Sequence, residues 1–312
     1  MKKTVKFVAV LMSMLLAVLS FAGCGSSETS SSSNSSSDNA KSEKLGMVIS
    51  TLDNPFFVTM KDGAEKKAKE LGVDLVVLNS NNDATKERSN VEDLIQQGVQ
   101  VLIINPTDSD AVATTVKFAN EKKVPVITVD RAANGGDVVC HIASDNVAGG
   151  KMAGEFLLEK IGGSGNIVEI QGIPGASATR DRGKGFHEAI DGKDGVKLIA
   201  SQSADFDRQK GLTVMENIIQ SNPDFKGVFA HNDEMALGAL KALKAANKKD
   251  VIIVGFDGGD DAVNAVNSGD MAATIAQQPD LMGSLSVENA DKLAKGQTID
   301  KTIPVELKLI KK

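Results

Sequence analysis

Four apolar runs in this chain each lead into a residue that can grip a polar ligand. Val101-Leu102-Ile103-Ile104 leads into Asn105, and 25 residues later Val126-Ile127-Thr128-Val129 leads into Asp130. In the second half Val228-Phe229-Ala230-His231 leads into Asn232, and 25 residues later Ile253-Val254-Gly255-Phe256 leads into Asp257. Both pairs are offset by 127 residues, so the chain carries an internal repeat. The same offset carries Asn54 to position 181, next to Arg182, and Arg131 directly follows Asp130. A carboxylate accepts from two hydroxyls at once, and a guanidinium donates in a planar fork. Together they suit vicinal hydroxyls, and Phe rings such as Phe56 and Phe57 supply a flat apolar platform for the C–H faces of a sugar.

Each feature also has a plainer use. Asn54-Pro55 fits a helix N-cap followed by proline at the first helical position. Neighbouring helical side chains point about 100° apart, so the spacing predicts one of Phe56 and Phe57 in a core and the other at a cleft. Asp130-Arg131 fits a surface ion pair, and Arg180-Asp181-Arg182 fits either a solvated helix face or one inward Arg.

Enzyme signals are weak. His141, His187 and His231 are the only histidines, and none has metal-ligand spacing. Gly162-Gly163-Ser164-Gly165 precedes a strand and reads as a turn, not a phosphate loop. Arg182-Gly183-Lys184-Gly185 lacks a nucleotide-binding pattern, and there is no Gly-x-Ser-x-Gly elbow. Asp205 and Asp207 do not continue into a calcium loop.

The elements that must hold these residues alternate. Strands are predicted over Leu45–Thr51, Asp74–Asn79, Val99–Asn105, Val124–Asp130 and Val138–Ser144, with helices over Pro55–Leu71, Ala84–Gln97 and Asp110–Lys123. Helix Val147–Ile161, strand Asn166–Gly172, helix Ala178–Ile190, strand Val196–Ser201, helix Arg208–Gln220, strand Gly227–His231, helix Glu234–Ala246 and strand Val251–Phe256 follow. Strand-helix alternation with near-continuous Val/Ile/Leu strands means parallel sheets covered on both faces. The class is therefore α/β, with two similar doubly wound parallel-sheet domains. In such sheets ligands bind outside the strand carboxyl ends, so facing domains would bring the repeated Asn and Asp residues to one cleft.

Composition agrees. The 312 residues include 35 Lys+Arg against 41 Asp+Glu, a net charge of -6 that argues against a nucleic-acid surface. The chain opens with Lys2, Lys3 and Lys6 before the apolar Phe7–Leu19, the pattern of an export signal over residues 1–23. Phe21-Ala22-Gly23-Cys24 resembles a bacterial lipoprotein box, with Phe21 where Leu is usual. An ordinary signal with an incidental Cys is the alternative. Gly25–Glu43 holds ten Ser and no apolar side chain larger than Ala40, so it reads as a flexible tether. Two Cys are too few for a disulfide scaffold, and Cys140, set among apolar neighbours, is expected to be a buried inert thiol.

Longer stretches carry a resemblance. Ser50-Thr51-Leu52-Asp53-Asn54-Pro55-Phe56-Phe57, Ile104-Asn105-Pro106-Thr107-Asp108-Ser109-Asp110-Ala111, His141-Ile142-Ala143-Ser144-Asp145-Asn146, Ala204-Asp205-Phe206-Asp207-Arg208 and Asn232-Asp233-Glu234-Met235-Ala236-Leu237-Gly238-Ala239-Leu240 are similar to the bacterial D-ribose-binding proteins. These are substrate-binding components of ABC importers with the type I periplasmic-binding fold. The resemblance runs from about Lys44 to the C-terminus. It implies a ribose held by Asn54, Phe56, Phe57, Asn105, Asp130 and Arg131 on one wall and Arg182, Phe206, Asn232 and Asp257 on the other, with Gln277 at a crossover. Asp53 and His231 depart from the commonest family residues, and His231 is where affinity or pH response would differ.

The resemblance further implies a three-segment hinge near Ser144-Asp145, Gln277 and Leu307. The N-terminal domain would take 44–144 and 278–306, and the C-terminal domain 145–277 and 307–312. No cofactor or metal, and no enzymatic activity, is implied. The expected partners are D-ribose or a similar monosaccharide and an ABC permease with its ATPase, with a monomer held to the outer face of the cell membrane through Cys24. Allose, galactose, another pentose or an autoinducer sugar on the same scaffold stays open, as does a sugar sensor for a signalling receptor. A sugar-responsive transcription regulator would need an N-terminal helix-turn-helix where the export signal stands.

Overall fold

The computed structural model describes residues 43–312. The expected export signal, Cys24 and nearly all of the Ser-rich segment lie outside the described residues.

The first lobe opens with β1 (Lys44–Ile49), α1 (Pro55–Leu71), β2 (Asp74–Asn79), α2 (Ala84–Gln96), β3 (Val101–Ile104), α3 (Val112–Glu121), β4 (Val126–Val129) and β5 (Val138–Ser144). The chain then builds a second lobe from α4 (Asn146–Lys160), β6 (Gly165–Gln171), α5 (Ser177–Ile190), β7 (Val196–Ser203), α6 (Arg208–Ser221), β8 (Gly227–Ala230), α7 (Asp233–Ala245), β9 (Ile252–Asp257), α8 (Asp260–Ser268) and β10 (Ala273–Ala276). It returns with α9 (Pro279–Ala294) and β11 (Thr302–Val305) to the first lobe, and ends on β12 (Lys308–Lys311) in the second.

The sheets run β11-β5-β4-β3-β1-β2 and β12-β10-β9-β8-β6-β7, the same order in each. Every pairing is parallel except β10 with β12. The α/β doubly wound class is thus as expected.

Side-chain alternation along the strands fills both faces. Leu45, Met47 and Ile49 of β1 join Met60 of α1 and Met282 and Val287 of α9 in one core. Val48, with Leu102 and Ile104 of β3, packs on the other face against Val91 and Leu94 of α2 and Val112 and Val116 of α3. Cys140 is fully buried in the first of these cores, and burial pushes its thiol up to about 11.

Several strands stop short of their expected ends. β4 closes before Asp130 because that residue turns to a φ of 62°, outside the extended range. β3 closes before Asn105, whose side chain turns back to accept from the Ser50 backbone N–H at 3.2 Å. The tight approach of α4 to α5 rests on Gly150, where a Cβ would lie 2.0 Å from the Arg182 carbonyl oxygen. The lobes also touch directly. Ser109 N–H donates to the Gly175 carbonyl at 3.0 Å, Ser177 N–H to Ser109 Oγ at 3.1 Å and Ala132 N–H to Ser177 Oγ at 2.8 Å.

Candidate ligand-binding cleft

Strand ends and helix starts from both lobes surround a cavity of about 240 Å³. Asn54, Phe56, Phe57, Asp130 and Arg131 line it from the first lobe, and Ala178, Arg182, Phe206, Asn232, Asp257 and Gln277 from the second lobe and its edge. A wider opening of about 930 Å³ shares Asn54, Phe56, Asp257 and Gln277 with it and reaches out to Arg208, Glu234 and Asp261.

The polar groups are held from behind. Asn105 Nδ2 donates to Asp130 Oδ2 at 3.1 Å and its Oδ1 accepts from Ser50 Oγ at 2.6 Å. Arg131 donates to the Pro106 carbonyl at 3.2 Å and stands 3.7 Å from Asp130. Arg182 donates through Nε to Asn146 at 2.8 Å, and through one terminal nitrogen to the His231 carbonyl at 2.6 Å and to Asp257 at 3.5 Å. Its guanidinium lies 3.8 Å from the Phe256 ring centroid. Gln277 Nε2 donates to Asp257 Oδ1 at 2.9 Å, while Gln277 Oε1 has no partner among the described residues. A guanidinium has five N–H donors, so each Arg keeps donors for the cavity beyond those its protein bonds use. Two carboxylates, two guanidiniums and three amides thus face one small space, with the Phe206 ring 5.3 Å from Arg131 and 5.9 Å from Arg182. A guest whose hydroxyls both donate and accept satisfies this set.

Burial shapes the charges. It pulls both guanidiniums below their ordinary value, opposed in Arg131 by Asp130 and in Arg182 by Asp257. It pushes Asp257 up to about 7 against the pull of Arg182 and the Gln277 bond. The backbone is strained at the same place. Asp130, Phe206 and Asp257 have φ of 62°, 59° and 122°, values that L-residues rarely adopt. Such outliers concentrate at ligand clamps, where surrounding structure over-determines them.

The structure brings the expected residues together with two differences. Asn105 does not line the cavity but stands behind Asp130, fully buried. The expectation that Phe56 and Phe57 would divide between core and cleft is corrected. Both are buried in the same core, both line the cavity, and their rings meet edge-to-face at 5.2 Å. They sit in the first turn of α1, where core and cavity share a boundary.

Asn54 fills both of its readings at once. Its Oδ1 caps α1 by accepting from Phe56 N–H at 2.9 Å, and the residue still lines the cavity. Asn232 likewise caps α7, accepting from Met235 N–H at 2.9 Å. Arg182 is the inward member of its charged triplet, while Arg180 is exposed. The His231 ring turns away from the cavity to Glu169 at 2.9 Å. Burial holds His231 below its ordinary value, so a neutral Nε2–H donor fits. Burial alone would raise Glu169, yet donors including His231 and Ser201 hold it down to about 2.

Ala178 and Asn146 were not anticipated. Ala178 has no chemistry to announce it, and Asn146 reads in sequence only as part of a helix start.

Comparison with known proteins follows the geometry. The family model described as a periplasmic binding protein domain matches residues 45–298. The ribose import binding protein RbsB of Haemophilus influenzae is 59% identical over 268 residues, covering 86% of this chain and 91% of that protein. RbsB of Bacillus subtilis is 48% identical over 309 residues, 99% of each chain. An ABC transporter periplasmic solute-binding protein from Actinobacillus succinogenes, solved with bound D-allose, superposes with a TM-score of 0.81 at 30% identity, covering 86% of this chain and 97% of that one. Matched by the family model over most of its length and by relatives of 48% and 59% identity, the chain belongs to the periplasmic binding protein family, whose members bind solutes for transport and are not enzymes.

Proposed function

We propose that this chain captures D-ribose outside the cytoplasm and delivers it to an ABC importer. The observation that carries the reading is two Asp–Arg pairs around one small cavity, Asp130 with Arg131 on one wall and Asp257 with Arg182 on the other. Phe56, Phe57 and Phe206 add apolar faces. The two RbsB relatives are 48% and 59% identical to the chain, against 30% for the protein with bound D-allose, which favours ribose. Asn54, Asn232 and Gln277 complete the set of ligand contacts, and Asn105 acts by holding Asp130.

The lobes, 44–144 with 278–306 and 145–277 with 307–312, move as rigid bodies about three crossovers near Ser144-Asp145, Gln277 and Leu307. Sugar shifts the population toward the closed form, which the permease distinguishes. The protein acts as a monomer. Lipid on Cys24 tethers it to the outer face of the membrane through the Ser-rich segment.

The test is thermal unfolding with free sugars. D-ribose at about 1,000 times its dissociation constant should stabilise the protein by roughly 4 kcal/mol. Arabinose, xylose and glucose should do much less, because a misplaced hydroxyl leaves a buried carboxylate or guanidinium unpaired. A shift from glucose or xylose as large as that from ribose overturns the assignment.

A further inference from the structure

Asp130 and Asp257 occupy equivalent places in the repeat, yet they are supported differently. Asn105 bonds Asp130 directly at 3.1 Å. Its repeat partner Asn232 spends its side chain on capping α7 and on the Phe206 carbonyl at 3.2 Å, and makes no bond to Asp257. Asp257 is bonded instead by Gln277 at 2.9 Å and Arg182 at 3.5 Å, and the turn that follows it is held as well. Asp233, 4% exposed, accepts from Gly259 N–H through Oδ2 at 2.8 Å. Its Oδ1 accepts from the fully buried Thr274 hydroxyl at 2.7 Å, and that hydroxyl in turn accepts from Gly258 N–H at 3.2 Å. The two backbone N–H groups next after Asp257 are therefore drawn to one buried hydroxyl-carboxylate pair.

The fold makes room for this pair. Gly255 of β9 leaves the space that Asp233 fills, since a Cβ there would lie 2.2 Å from Asp233 Oδ1. Asp233 also sits in the first turn of α7, where the helix dipole favours a negative charge. Burying a carboxylate beside a second one is costly, and burial together with the charge of Asp257 raises Asp233 well above its ordinary value.

From this geometry we infer that Asp233 and Thr274 are positioning residues for the ligand cleft: by fixing the turn at Gly258 and Gly259 they hold Asp257, at its φ of 122°, in the orientation that meets the sugar. The inference rests on the proposed sugar site and names two residues outside its wall that set its affinity.

Calorimetric titration of D-ribose into the full chain tests it, with melting temperatures as the check on folding. Thr274→Val should weaken ribose binding by at least about tenfold, the loss of a buried bond linked to a charged group. Thr274→Ser, which keeps the hydroxyl, should stay within about threefold of the wild type. Combined with Asp257→Asn, Thr274→Val should add no more than about twofold, because its effect passes through Asp257. If Thr274→Val does not fold, Asp233→Asn serves in the same cycle, with the same lack of additivity expected. Wild-type affinity in Thr274→Val, or losses that multiply in the double variant, overturn the inference while leaving the sugar site standing. A wild-type chain that binds no D-ribose overturns both.

Discussion

Asp257 is asked to do two things that conflict. Its carboxylate is only 11% exposed and must serve as an acceptor, yet burial raises it from 3.8 to about 7. An acid whose value is raised on folding destabilises the folded state when ionised. That penalty is absent below the unfolded value of 3.8, grows as pH rises toward about 7, and is complete above it. Asp257→Asn should therefore make the unliganded protein more stable at about pH 8, by on the order of 1–4 kcal/mol, while weakening ribose binding measurably, by about 1.5–3 kcal/mol. Near pH 4 the two proteins should unfold alike. Denaturant titration at both pH values checks this, and equal stability at about pH 8 would sink the argument. The presence of Asp257 was legible in sequence, since an acid ending an apolar run at the offset of Asp130 is an unusual pattern. Its strained backbone was not, because φ follows from the turn chemistry of Gly258 and Gly259 and from contacts with β10 that lie 16 residues further along.

At the scale of elements, Arg182 depends on how closely two helices meet. Gly150 of α4 faces the Arg182 carbonyl on α5, and the α4 start supplies Asn146 to the same side chain. Gly150→Ala puts a methyl against rigid backbone and should force the helices apart. The expected cost is about 1–3 kcal/mol of stability, the range for overpacking. Ribose affinity should fall with it, because Arg182 then loses its register with Asp257. Unchanged affinity in a folded Gly150→Ala protein would show that Arg182 is placed by other contacts. Strands and helices were legible because their periodicities are strong and their apolar runs long. The dual place of Phe56 and Phe57 was not. A helical-wheel argument assumes that core and cleft lie on opposite faces, and here they adjoin at the first turn of α1.

For the whole molecule, the Ser109–Ser177 contacts and the cavity lining both join the lobes, so the site is a property of the pair. Anchoring, by contrast, should be separable from it. Cys24→Ala is expected to release the protein from the membrane fraction with ribose affinity unchanged, and fractionation followed by titration checks both. Wild-type protein found wholly in the soluble fraction would remove the anchor from the reading. The order of the chain has a consequence for how the molecule is made. The first sheet is closed by β11, and the face carrying Leu45, Met47 and Ile103 is covered by Met282, Val287 and Ala290 of α9. All of these come after the parallel strands of the second sheet have been synthesised. A growing chain therefore cannot complete its first lobe until nearly the last residues emerge, and until then that apolar face is covered by α1 without α9. Long-range closure of this kind delays folding. A protein that must cross a membrane unfolded gains from late closure, because a chain that folds only when complete is threaded before its two lobes can meet.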